Sequence, residues 1–100
     1  MKDHMFKFQP PYTDEPVTLY VQRKQYQSGN LCLNLIDARD HFPYICATVN
    51  VDGLKENEVA IKNYSENEGI LPTLIREGVI KMPHRYVNSG FVKIPVCELC

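Results

Sequence analysis

Period-two alternation recurs along this chain and constrains its class more than any other feature. Val17, Leu19 and Val21 alternate with Thr18, Tyr20 and Gln22, and Leu31, Leu33 and Leu35 resume the pattern. Over 44–51, Ile45, Ala47, Val49 and Val51 alternate with Tyr44, Cys46, Thr48 and Asn50. Successive strand side chains point to opposite faces, so each run reads as a half-buried strand. The cluster Gln27-Ser28-Gly29-Asn30 supplies the residues that tolerate positive φ in a tight turn. A three-stranded antiparallel meander is therefore expected over 17–51.

The turn signal Asp52-Gly53 precedes a short fourth strand around Val59 and Ile61. Ser65-Glu66-Asn67-Glu68 fits a capping box, and Ile70, Leu71, Leu74 and Ile75 form a helical apolar stripe ending before Gly78. Pro72 conflicts with a cap at Ser65, because it would then stand in the helix interior and remove a backbone donor. A distorted first turn continuing to about residue 77 is expected. Beyond Pro83, residues 86–87 and 91–96 read as one last strand bent at Asn88-Ser89-Gly90, with Pro95 placing that part at a sheet edge. The expected fold is α+β: a mainly antiparallel five-stranded sheet with one helix packed on one face, in the order β-β-β-β-α-β. Its core is drawn from Val17, Leu19, Leu33, Leu35, Ile45, Val49, Ile61, Leu71, Leu74, Ile75, Ile94 and Val96. Residues 1–15, followed closely by Pro16 and containing Pro10-Pro11, read as a flexible N-terminal arm, and 16–100 as a single domain.

A chain of 100 residues supports one core. Eleven Lys and Arg against twelve Asp and Glu leave a net charge of -1, which supplies neither the basic surplus of a nucleic-acid binder nor the acidity of a DNA mimic. No signal-peptide h-region and no apolar run of about 18 residues is present, so no membrane association and a cytoplasmic location are expected. The four cysteines are then expected to be reduced.

Each candidate for chemistry has a plainer structural reading. Cys97-Glu98-Leu99-Cys100 has the spacing of a metal half-site or redox pair, but it ends a strand and lacks the helix N-terminus or the further ligands such sites use. His4, His41 and His84 are scattered, and no glycine elbow accompanies Ser28, Ser65 or Ser89. Turn chemistry accounts for Asp37 and Asp40, and helix capping for Glu66 and Glu68. The chain is thus expected to be no enzyme, with no catalytic residue, metal or cofactor; the alternative is a small metal- or redox-active protein using the C-terminal CxxC, whose cysteines are otherwise expected to be dispensable for structure. What remains is recognition surface, for which Tyr64, Arg85, Tyr86 and Asn88 are the candidate protein-binding residues, since Tyr and Arg concentrate at interface hot spots. The expected partner is an unidentified protein, with the chain itself a monomer or weak homodimer.

Residues 58–69 (EVAIKNYSENEG) and 83–99 (PHRYVNSGFVKIPVCEL), with 20–37 (YVQRKQYQSGNLCLNLID), resemble a bacterial domain-of-unknown-function family of small proteins often encoded on conjugative and other mobile elements. The resemblance spans residues 17–99 and carries no active site, so it transfers no functional residue. It implies an accessory role for a mobile element, inhibition of a host defence factor being a special case.

Overall fold

The alternating runs assemble into eight strands in the computed structural model, which describes residues 4–100. They are β1 (Met5–Phe8), β2 (Val17–Gln25), β3 (Leu31–Asp37), β4 (Pro43–Cys46), β5 (Thr48–Val49), β6 (Glu58–Ile61), β7 (Arg85–Ser89) and β8 (Val92–Glu98), with one helix, α1 (Ile70–Arg76). The strands form two antiparallel four-stranded sheets, ordered β1-β2-β3-β4 and β5-β6-β8-β7. This overturns the expected single five-stranded sheet of order β-β-β-β-α-β: the fold is mainly β with one short helix.

Three local events produce the difference. First, the run 44–51 changes sheets at Ala47, whose N–H donates to the Leu33 carbonyl while its own carbonyl accepts from the Lys62 N–H. A fully buried small side chain lets the backbone turn there, as at the corners of packed sheets. Second, the segment expected to belong to a flexible arm contains β1, in which Phe6 and Phe8 pair with Leu19 and Val17 and enter the core. Apolar burial outweighs the disorder signalled by Pro10-Pro11; residues 1–3 lie outside the described residues. Third, the expected single last strand is a hairpin: Ser89 pairs with Val92 around Gly90, which takes φ 62°, the backbone glycine tolerates best in a two-residue turn.

Pro95 consequently lies in an internal strand, not in an edge one. The proline rule still operates locally, since β8 pairs with β7 over 92–96 but with β6 only from Val96 onward. Both faces of β8 are closed off, with Ile94, Pro95, Val96 and Cys97 all buried.

The capping box at Ser65 is absent. Ser65–Asn67 forms a 3-10 turn, and α1 begins after Gly69, with the Asn63 Oδ1 accepting from the N–H groups of Gly69 (3.2 Å) and Leu71 (2.9 Å). Pro72 thus stands in the first turn, where its missing donor would have had no intrahelical partner, and costs nothing. The helix sets Ile70 and Leu74 against Phe6, Phe8, Leu33, Leu35, Val59 and Ile61 in one core. Of the expected core residues, Leu19, Leu33, Leu35, Ile61, Leu74, Ile94 and Val96 are buried, while Val17, Ile45, Val49, Leu71 and Ile75 are half-buried at its margin. Among the described residues no helix is long and apolar enough to cross a membrane.

Candidate functional site

The four residues expected to form one recognition patch have different fates. Arg85 opens β7 opposite Val96, which in turn faces Ala60 of β6, so all three share a face. From there its guanidinium reaches back across β8 to Glu58, with Nη2 at 2.7 Å from Oε1 and Nε at 3.4 Å from Oε2, and it also donates to the Gly53 carbonyl at 3.0 Å. Glu58 is 4 % exposed. Its Oε1 accepts from the Lys55 N–H (2.9 Å), and its Oε2 lies 2.6 Å from the His84 Nε2. The Arg85 guanidinium, assisted by the Lys55 N–H and His84 against the opposing effect of burial, holds this carboxyl down at about 2.

Every oxygen of this cluster is engaged within the fold, and no nucleophile contacts it among the described residues. It is an ionic clamp joining β6 to β7 over β8. Arg85 is therefore a structural anchor, with its side chain 35 % exposed.

Tyr86 and Asn88 alternate with Arg85 and Val87 along β7 and are exposed, Tyr86 by 57 %. Tyr64 is set apart: it precedes the 3-10 turn and stacks beneath Lys62, whose Nζ lies 5.6 Å from the ring centroid and 2.8 Å from Glu66. No hydrogen bond or ring contact joins Tyr64 to Tyr86 or Asn88 among the described residues.

Two neighbours missed in the sequence complete the exposed edge. Met82, just before β7, is 69 % exposed, and Phe91, at the tip of the β7–β8 hairpin, is wholly exposed. The signal available was the turn itself: once Ser89-Gly90 is read as a hairpin, Phe91 falls at its apex.

The C-terminal cysteines do not form a site. An odd separation along an extended chain directs side chains to opposite faces, and Cys97 is fully buried, with burial pushing its thiol up to about 11, while Cys100 is exposed. A depression of about 740 Å³ lies between β2 and the end of α1, lined by His4, Tyr20, Gln22, Arg23 and Glu77 among others. Most of its polar groups pair with one another or with the fold: His4 Nε2 with Glu77 Oε1 at 2.8 Å, and the Tyr20 hydroxyl with His41 Nδ1 at 3.0 Å.

Compared with known proteins, the chain matches no family model, no curated protein and no solved structure.

Proposed function

We propose that this protein is a non-enzymatic binding module that takes an extended segment of a partner protein along the outer edge of β7. One observation carries the reading: β7 is the least protected sheet edge. Edge strands are normally blunted by proline, lysine or brevity. Accordingly β4 begins with Pro43, β1 carries Lys7 and β5 has two residues, whereas β7 runs for five residues, RYVNS, without proline or lysine. Apolar side chains accompany that edge at Met82, Tyr86 and Phe91. Backbone pairing would supply affinity and the aromatic side chains selectivity, the mode in which a peptide adds a strand to a sheet. The net charge of -1 favours a protein over a phosphate backbone as the occupant. The resemblance to proteins of mobile elements directs the search to host and element-encoded proteins.

The test is affinity capture from the native host with the wild-type chain and with a Tyr86→Lys, Phe91→Lys variant that keeps the wild-type unfolding midpoint. A protein held by the wild type should bind the variant at least about thirtyfold more weakly, the loss of about 2 kcal/mol expected of a hot spot. Equal affinity would exclude the β7 edge, and capture of nucleic acid alone would discard the reading.

A further inference from the structure

Two cysteines from separate strands meet on the face of β3 opposite Leu33 and Leu35. Cys32 Sγ lies 3.7 Å from Cys46 Sγ, and both are free thiols. Cys46 is the last residue of β4, the edge strand of its sheet, immediately before the chain crosses to the other sheet at Ala47. It is half-buried, while Cys32 is buried. Around Cys46 stand two hydroxyls, Tyr26 OH and Thr48 Oγ1, each 3.6 Å from its sulfur and 3.0 Å from each other. The Cys46 thiol also donates to the Thr48 carbonyl at 3.4 Å; once it ionises, the two hydroxyls can turn their protons toward the sulfur.

We propose that Cys32 and Cys46 form a peroxide-oxidisable dithiol, with Cys46 the attacking sulfur and Cys32 the resolving one. The Cys46 thiolate attacks one oxygen of hydrogen peroxide. A sulfur–oxygen bond forms, the oxygen–oxygen bond breaks, and the expelled hydroxide becomes water with the proton that Cys46 released on ionising. The Cys32 sulfur then attacks the Cys46 sulfenic acid; the sulfur–sulfur bond forms and the sulfur–oxygen bond breaks, with hydroxide leaving as water on the Cys32 proton. Overall, two thiols and one peroxide give one disulfide and two waters.

The roles follow from position. Cys46 is the more accessible thiol, and it lies on a short edge strand: β4 has four residues, and its register with β3 shifts between Leu35 and Ile36, on the Pro43 side of Cys46. Closing 3.7 Å to the roughly 2.05 Å of a disulfide requires β4 and β3 to approach at this pair. Burial raises both thiols. At Cys46 its hydrogen bonding with Thr48 and with the Tyr26 hydroxyl outweighs it and brings the thiol below its usual range, while Cys32 stays above. The product would tie β3 to the crossover between the sheets.

The experiment treats the protein, in a Cys100→Ser background that removes the exposed thiol, with a slight excess of hydrogen peroxide, followed by thiol titration and peptide mapping. Loss of two thiols to an intrachain Cys32–Cys46 linkage, reversed by dithiothreitol, is the expected result. Cys32→Ser should accumulate a sulfenic acid at Cys46 that dimedone traps, and Cys46→Ser should slow oxidation of Cys32 at least about tenfold. Three thiols surviving peroxide, a linkage that uses Cys97, or a Cys46 sulfenic acid that never resolves in the presence of Cys32 would each overturn the proposal.

Discussion

Replacing Glu58 by Gln removes the charge at the centre of the β6–β7 clamp while nearly preserving its volume. Arg85, the largest influence, and the Lys55 N–H hold the carboxyl from its ordinary 4.5 down to about 2. A displacement of that size corresponds to about 3 kcal/mol. Arg85 and His84, however, are 35 % and 40 % exposed at their side chains, so water screens their share and about 1–2 kcal/mol is expected at neutral pH. A carboxyl whose folded pKa lies below its unfolded one stabilises fully above the unfolded value and progressively loses that contribution as pH falls to the folded one. The share of the stability gap between wild type and Glu58→Gln that comes from this carboxyl should therefore be fully present above the ordinary 4.5 and close as pH falls from there toward about 2.

Urea midpoints measured at neutral pH and at steps through the acid range read this directly. Asp37, Glu66 and Glu77 are also held below their usual range, by Arg39, Lys62 and His4 respectively, but they titrate alike in both proteins and cancel in the difference. A gap that stays unchanged through the acid window would show that the substitution disturbs packing and that the charge contributes nothing. Arg85→Ala should lower stability by a comparable or larger amount, because it leaves a buried carboxylate short of its main partner.

Phe8→Ala should cost about 3–5 kcal/mol by urea denaturation, the range for deleting a buried aromatic ring; a loss below about 1 kcal/mol would return residues 5–8 to the status of a loose arm. Cys97→Ser should cost about 1–3 kcal/mol by placing a hydroxyl in an apolar, fully buried position. Cys100→Ser should stay within about 0.5 kcal/mol, as an exposed substitution does, so only one of the two C-terminal cysteines is structurally dispensable; equal effects would contradict the opposite placement of their side chains.

How far the sequence could be read depended on whether the deciding interaction was local. The β2–β3 hairpin was legible because its turn residues and both alternations lie within some twenty consecutive positions. The split into two sheets was not, since Ile45, Ala47 and Val49 keep strict alternation straight through the crossover. Alternation reports which face a side chain takes and is silent on which sheet the strand joins. Only the two hydrogen bonds of Ala47, one to each sheet, mark the switch. Strand β1 does carry a local signal, Phe6 and Phe8 spaced by Lys7, but Pro10 and Pro11 follow at once and point the other way. The helix start was misplaced for a related reason: Asn63 satisfies the first-turn donors from eight residues away, beyond the reach of a capping pattern. Among the candidate site residues, the exposure of Tyr86 on a strand was legible, whereas the ion pair of Arg85 depends on Glu58, 27 positions earlier in the chain.

That long-range pair also bears on the proposed binding edge. An edge strand can template a partner only if its backbone is held straight and in register, and β7 is attached to the rest of its sheet through β8 alone. The Glu58–Arg85 bridge, spanning β8 at the start of β7, fixes one end of that strand, and the Gly90 turn fixes the other. Between them the Tyr86 and Asn88 side chains are exposed and make no hydrogen bond among the described residues. Under the proposed reading, recognition energy comes from the backbone edge and from Tyr86 and Phe91, while Arg85 keeps that edge in place. Substituting Arg85 would weaken binding only to the extent that it loosens β7, and the loss should track the fall in stability.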